Sequence, residues 1–219
     1  MKPAPPDRIA DPVQQVGVWN IANELTMLRL ALVPVFAVVL FHGGGHLTGW
    51  RWAAWGVFAV ASATDLLDGD LARRRGLVTT FGKVADPIAD KALMGTALIG
   101  LSVLGDLSWW VTGIILTREI TVTLLRFWVI RHGVIPASRG GKLKTLLQAV
   151  AIGLYVMPLP ASWRPALAVI MLVTVAVTLV TGADYVNRAL TLRRTSPRAV
   201  AERAARASGQ ARRPGAAGS

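Results

Sequence analysis

The chain has 219 residues, of which 53% are hydrophobic and 16% are charged, and its formal net charge is +12. The length fits a single domain, and the composition is typical of a membrane protein. Several apolar stretches are long enough to cross a bilayer, which excludes most nucleic-acid-binding domains. The positive charge is therefore better explained by basic residues that meet anionic lipid headgroups. The first twenty residues lack the apolar core of a cleavable signal peptide.

The hydrophobic pattern predicts an all-α integral membrane protein with about six transmembrane helices. Residues 1–18 are rich in proline, and we expect them to be disordered. Residue 19 begins a predicted interfacial helix that leads into the first span. The spans are predicted near residues 25–41, 50–67, 81–104, 109–130, 143–158 and 167–185. They belong to one membrane domain, residues 19–190, followed by a basic tail, residues 191–219, that we expect to be disordered.

The basic residues are unevenly distributed between the predicted loops, which indicates the orientation in the membrane. One set of loops holds only Arg51 and Arg164. The opposite set holds Arg73, Arg74, Arg75, Lys83, Arg131, Arg139, Lys142, Lys144, Arg193 and Arg194. Because cytoplasmic loops carry an excess of Lys and Arg, we expect the second set and both termini to be cytoplasmic, in a multi-pass plasma-membrane protein.

Acidic residues concentrate between the second and third predicted spans. Asp65 and Asp68 are separated by three positions, and Asp86 and Asp90 by four, so on helices each pair shares one face. A carboxylate at membrane depth is costly unless it is paired, hydrated or bound to a metal. Together the two faces would form an all-oxygen cage, although pairing with nearby Arg and Lys is an alternative.

An oxygen cage of this kind suits Mg²⁺ or Mn²⁺ far better than zinc. The chain has no cysteine, and its three histidines are scattered. His42 and His46 flank three consecutive glycines, so this stretch predicts a loop and not a metal-binding helix.

A longer motif surrounds the aspartates: Asp65-x2-Asp68-Gly69-x2-Ala72-Arg73-x8-Gly82-x3-Asp86-x3-Asp90. It resembles the signature of the CDP-alcohol phosphotransferases, integral membrane enzymes that move a phosphatidyl or similar group from a CDP-linked donor to an alcohol. The resemblance implies two metal ions held by Asp65, Asp68, Asp86 and Asp90. It also implies that Asp90 is the catalytic base that takes the proton of the alcohol.

The same resemblance implies the site for the donor. Gly69, Arg73 and Gly82 correspond to donor-binding positions, and so does Thr79, although Thr80 fits equally well. The stretch Asn20-x2-Asn23-x2-Thr26-x2-Arg29 resembles the N-terminal segment of the family and adds Asn23 and Thr26 to the donor site. The alternative role of these two residues is helix capping.

The acceptor site is predicted from residues 117–120, residues 138–145 and Gln148, which resemble the branch of the family that uses sn-glycerol 3-phosphate. The resemblance implies an acceptor-phosphate site formed by Arg118, Arg139, Lys142 and Lys144. A cation within a membrane helix is costly when unpaired, and a dianionic phosphate would satisfy it. The alternatives are an ion pair of Arg118 with Glu119 or an aspartate, and lysines that anchor at lipid headgroups.

The implied reaction converts CDP-diacylglycerol and sn-glycerol 3-phosphate to phosphatidylglycerophosphate and CMP. A sibling enzyme with inositol phosphate, inositol, serine or phosphatidylglycerol as its acceptor is the nearest alternative. A divalent-cation transporter is an alternative of another class, since intramembrane acids also form ion pathways. Arg73 beside the cage would repel such ions. The family commonly forms homodimers, which the sequence neither establishes nor excludes.

Overall fold

The structure is a computed structural model that describes the backbone of residues 21–75, 80–129 and 139–195. Within these ranges it describes every side chain except those of residues 21–23, 65–75, 80–87, 90, 126, 127, 129, 139–142 and 193–195.

Six α-helices make up most of the described chain, and no strand occurs in it, so the predicted all-α class is confirmed for this part. The helices are α1 (Ile21–Phe41), α2 (Thr48–Arg75), α3 (Thr80–Val103), α4 (Trp109–Val129), α5 (Arg139–Val156) and α6 (Arg164–Thr195). Each helix corresponds to one predicted span, although α3, α4 and α5 end one or two residues before the predicted ends. The predicted interfacial segment is not a separate helix within the described residues, because α1 runs without interruption from Ile21.

The last helix is longer than the sequence pattern predicts. α6 continues to Thr195, beyond the predicted end of the span near residue 185. It includes the first residues of the segment for which we expect disorder. An exposed ion pair one turn apart, Arg188 Nε to Asp184 Oδ2 at 2.9 Å, supports the helix in this polar region.

Two helical segments are long and apolar enough to cross a membrane, Glu24–Gly45 and Ala161–Leu192. Two shorter apolar stretches, Lys91–Val103 and Leu143–Val156, lie in α3 and α5. Large apolar side chains also point outward, as in Val38 and Val180, each 69% exposed. Such surfaces indicate a membrane protein. The number of six membrane spans remains a prediction.

The helices pack around one apolar core. α1 packs against α2 and α3, α6 packs against α4 and α5, and α5 also contacts α2 and α3. The Phe36 and Phe58 rings lie 5.8 Å apart and join α1 to α2. Leu98, Ile152 and Met171 bring α3, α5 and α6 into the same cluster.

The glycine-rich turn between α1 and α2 is a short 3-10 segment, His42–Gly45. Gly43 and Gly44 have φ values of +60° and +77°, which L side chains rarely adopt. The prediction that this stretch is a turn and not a metal-binding helix is therefore confirmed. The His42 ring packs on Trp50 with a centroid distance of 4.0 Å.

Arg51 joins three parts of the chain at one end of the bundle. From the start of α2, its Nη2 donates to Asp106 Oδ2 at 2.7 Å, in the turn between α3 and α4. The same nitrogen donates to the backbone oxygen of Tyr155 at 3.1 Å, near the end of α5. Because consecutive helices alternate in direction, the ends of α2 and α4 and the starts of α3 and α5 lie at the opposite end.

Most of the exposed tryptophans among the described residues lie at the Arg51 end of the bundle. Trp50 lies in the first turn of α2, Trp109 begins α4, and Trp163 directly precedes α6. Tryptophan is enriched where the membrane meets water, so the position of these three residues fits one membrane interface.

Candidate active site

The four motif aspartates lie on two consecutive helices. Asp65 and Asp68 belong to α2, and Asp86 and Asp90 belong to α3. Since the backbone is helical through both pairs, the members of each pair share a face, as the spacing predicts. The side chains of all four lie outside the described set, so the metal cage remains a prediction. The described side chains include no other group of three or more acids or histidines that could hold a metal.

The predicted donor residues with a described backbone lie on three helices that pack together. Gly69 and Arg73 are in the last turns of α2, and Gly82 is in the first turn of α3. Thr79 lies outside the described residues, and so does the side chain of Asn23. Thr26 is buried in α1, a full turn past the helix start, so the capping alternative is wrong for this residue.

Glu119 is the centre of a buried ionic cluster that joins three helices. Arg118 Nη1 lies 3.0 Å from Glu119 Oε1, and Lys91 Nζ of α3 lies 3.3 Å from Oε2. Lys144 Nζ of α5 donates to Oε1 as well. The Lys144 side chain is only 5% exposed and that of Arg118 only 13%. Three cations against one carboxylate leave two positive charges.

A cavity of about 230 Å³ lies beside this cluster, between α3, α4 and α5. Its polar lining residues are Lys91, Glu119, Lys144, Thr145 and Gln148, and Met94, Gly95, Leu116 and Ile120 complete the wall. Met94 follows Asp90 by four positions and therefore lies on the same face of α3, about 6 Å further along the helix axis. Along α3 the cavity thus extends from Lys91, next to the predicted catalytic base, to Gly95 one turn further on.

Only part of the predicted acceptor site has described side chains. The structure brings Arg118 and Lys144 together at Glu119, so the alternative pairing of Arg118 with Glu119 is confirmed. Arg118 Nη2 also donates to Thr181 Oγ1 of α6 at 3.2 Å. Arg139 and Lys142 lie in the first turn of α5, and their side chains are outside the described set.

The sequence pattern does not indicate Lys91 as part of this cluster, nor Glu119 as its centre. A lysine next to Asp90 in sequence and an acid next to Arg118 within an apolar stretch were the available signals. Neither signal indicates that α3 and α5 bring their lysines to the same carboxylate, because that depends on how the helices pack.

A second, more open groove of about 460 Å³ runs between α4 and α6. It is lined by small and apolar residues together with Arg118. Gly182 of α6 gives this arginine its space, since a Cβ there would lie 3.0 Å from Arg118 Cγ and 3.3 Å from its Nε. The Arg118 side chain therefore passes between the two helices.

These observations define a helical membrane protein with a pair of aspartates on each of two consecutive helices and a buried cationic cavity beside them. The chain matches the CDP-alcohol phosphatidyltransferase family over residues 19–180, and it belongs to this family. It is therefore a transferase, and the transporter alternative is wrong. The family is generally dependent on divalent metal ions.

Several bacterial relatives are similar along most of their length. A protein of Mycobacterium tuberculosis named "Probable phosphatidylglycerophosphate synthase" is 60% identical over 173 residues, which are 79% of this chain and 83% of that protein. A CDP-diacylglycerol–glycerol-3-phosphate 3-phosphatidyltransferase of Bacillus subtilis is 34% identical over 189 residues, 78% of this chain and 95% of the relative. The Escherichia coli protein of the same name is 37% identical over 153 residues, with coverages of 67% and 79%.

Proposed function

We propose that this protein transfers the phosphatidyl group of CDP-diacylglycerol to sn-glycerol 3-phosphate, with phosphatidylglycerophosphate and CMP as products. The observation that carries the proposal is the buried Lys144, which lines the same cavity as Lys91, the neighbour of Asp90, in a chain of this transferase family. The names of its bacterial relatives support the same donor and acceptor.

The four motif aspartates on α2 and α3 are suitable ligands for two divalent cations. Asp65, Asp68, Asp86 and Asp90 supply only carboxylate oxygens, which Mg²⁺ and Mn²⁺ prefer, and their helical pairing presents two ligands from each helix. When bound, such a pair of ions would neutralise charge on the attacked phosphoryl group and on the departing CMP.

Asp90 acts as the base in this proposal. The acceptor hydroxyl attacks the phosphorus of the phosphatidyl group, its proton passes to the Asp90 carboxylate, and CMP leaves with the bridging oxygen. Arg73 holds the donor pyrophosphate in a bidentate manner, and Gly69 and Gly82 leave room for the nucleotide.

The charge of the Glu119 cluster supports the assignment of the acceptor phosphate. The cluster has a net charge of +2, because the three cations Lys91, Arg118 and Lys144 face the single carboxylate of Glu119. A phosphate monoester carries a charge of about −1.5 to −2 at pH 7. The arriving phosphate would share these cations with Glu119. Arg139 and Lys142, in the first turn of α5, extend the basic surface from which the acceptor enters.

We further propose that all six helices span the plasma membrane with the aspartates at the cytoplasmic side. The Arg51 end, with its exposed tryptophans, would then face outward, and the basic segment from Arg131 to Lys144 would face the cytoplasm. A homodimer, as is common in the family, is the proposed assembly.

The experiment that tests the function is release of CMP from CDP-diacylglycerol by the purified protein in detergent. Glycerol 3-phosphate, inositol phosphate, inositol, serine and phosphatidylglycerol are compared as acceptors at equal concentration. We expect CMP release that depends on Mg²⁺ or Mn²⁺ and is fastest with glycerol 3-phosphate. Faster CMP release with another acceptor would show that the protein catalyses the reaction of a sibling enzyme. No CMP release with any acceptor would contradict the reaction itself.

A further inference from the structure

Gln148 is a buried polar side chain that the proposed function does not use. It lies on α5 one turn after Lys144, lines the cavity beside Glu119 and is only 3% exposed. Its Oε1 is buried and has no hydrogen-bond partner among the described residues. A buried carbonyl oxygen without a donor is unfavourable, so its presence in a cavity wall indicates that a ligand supplies the donor.

The position of Gln148 matches the chemistry of a phosphorylated polyol. Lys144 and Gln148 occupy positions i and i+4 of one helix, so their Cβ atoms lie about 5–6 Å apart on the same face. A phosphate bound near Lys144 would bring a hydroxyl on the adjacent part of its carbon chain to Gln148. The lysine ammonium supplies donors for the phosphate, whereas the amide oxygen accepts from a hydroxyl.

We propose that Gln148 accepts a hydrogen bond from the non-reacting hydroxyl of the acceptor, and that the cavity thereby selects phosphorylated alcohols that carry a second free hydroxyl. In glycerol 3-phosphate this is the hydroxyl of the middle carbon, while the terminal hydroxyl reacts near Asp90. The inference rests on the proposed function and adds a specificity-determining residue to it.

The test compares glycerol 3-phosphate with 3-hydroxypropyl phosphate, which lacks only the middle hydroxyl. With the wild-type protein, kcat/KM should be about tenfold higher for glycerol 3-phosphate, the loss expected when a neutral hydrogen bond is removed. Gln148→Leu keeps a similar side-chain volume without the amide. In this variant the ratio of kcat/KM for glycerol 3-phosphate to kcat/KM for 3-hydroxypropyl phosphate should fall to about one. The change should come from glycerol 3-phosphate alone.

Thr178→Val is the matched control for this variant. Thr178 Oγ1 is also buried without a hydrogen-bond partner among the described residues, but the residue does not line the cavity. Its variant should keep the wild-type ratio. A ratio near one in the wild type, or an unchanged ratio in Gln148→Leu, would overturn the inference while the proposed function stands. Failure of the wild type to release CMP with glycerol 3-phosphate would overturn both.

A second variant tests occupancy of the cavity without touching a polar group. Gly95 lines the cavity, and a Cβ there would meet only Leu116 Cδ2, at 3.8 Å. Gly95→Leu should raise KM for glycerol 3-phosphate at least tenfold and leave KM for CDP-diacylglycerol unchanged. Gly56→Leu, on α2 with no neighbour within 4 Å of its Cβ, is the control. An unchanged acceptor KM in Gly95→Leu would show that the acceptor binds elsewhere.

Discussion

Lys144 on α5 donates a hydrogen bond to Glu119 on α4, although these two helices have no close backbone contact within the described residues. The ion pair spans the cavity between them, and α3 closes the third side with Lys91. Arg118 approaches the same carboxylate from its own helix. The wall of the proposed acceptor site is therefore built from three cations that share one carboxylate, which leaves two positive charges in the cluster.

Glu119→Gln should destabilise the protein, because it leaves the buried Lys144 without its carboxylate. Loss of one partner of a buried ion pair costs about 3–5 kcal/mol, and the apparent melting temperature in detergent should fall. Glycerol 3-phosphate at saturation should recover part of the loss, since its phosphate replaces the missing negative charge. Lys91→Gln, at a more exposed partner of Glu119, should have a smaller effect. A wild-type melting temperature in Glu119→Gln would contradict the structural role of the cluster.

The proposed metal cage predicts that Asn at Asp65, Asp68 or Asp86 lowers turnover by orders of magnitude. Each change keeps the shape of the side chain but removes a charge that holds the cations. CMP release at saturating Mg²⁺ is the measurement, with purification yield as the test of insertion. Asp70→Asn, on the same helix but outside the motif, should retain most of the activity. Near-normal turnover in two of the three variants would refute the cage.

Lys142→Ala should raise KM for glycerol 3-phosphate with little change in KM for CDP-diacylglycerol. A lost charge-assisted hydrogen bond of about 1.5–3 kcal/mol corresponds to roughly 10- to 150-fold. Lys142 is a cleaner test than Arg118, because Arg118→Ala also removes the contacts with Glu119 and Thr181. Equal losses for both substrates would assign Lys142 a role other than acceptor binding.

The proposed orientation can be measured with single cysteines, since the chain has none of its own. Ser108→Cys lies in the exposed turn before α4, and Ser138→Cys directly precedes Arg139, the first residue of α5. In intact cells an impermeant thiol reagent should label position 108 and leave position 138 unlabelled until the membrane is opened. Ser108 is a better site than Gly44, where a positive φ would strain a cysteine. The reverse labelling pattern would invert the topology.

The pairing of Arg51 with Asp106 should contribute to stability but not to catalysis. The Arg51 side chain is 9% exposed and contacts three parts of the fold, so Asp106→Asn should lower the apparent melting temperature by several degrees. Kinetic constants should not change, because the pair lies at the end of the bundle away from the aspartates. Asp184→Asn breaks an exposed pair on α6 and should be nearly neutral. Similar melting temperatures for the two variants would show that burial does not strengthen the inner pair.

The positions of the helices and the family can be predicted from the sequence, because both depend on the local spacing of residues. Apolar runs of membrane length are separated by glycine, proline and charged residues, and the six helices of the described chain follow those runs. The aspartate motif occupies two adjacent helices, and its resemblance to the family signature predicts the chemistry. The end of α6 was placed too early, because a polar sequence past residue 185 marks the end of an apolar span and not necessarily the end of a helix.

The residues themselves therefore determined the helical class and the family. They also predict the carboxylates of the proposed metal cage, since a motif within a short window remains together in any fold of its helices. Tertiary structure alone decided that Lys91 and Lys144 join Arg118 at Glu119, and that Gln148 lines the same cavity. These residues come from three helices and are separated by up to 57 positions, 148 less 91. No periodicity in the sequence records which helix faces which, because that choice depends on how side chains pack across the whole bundle.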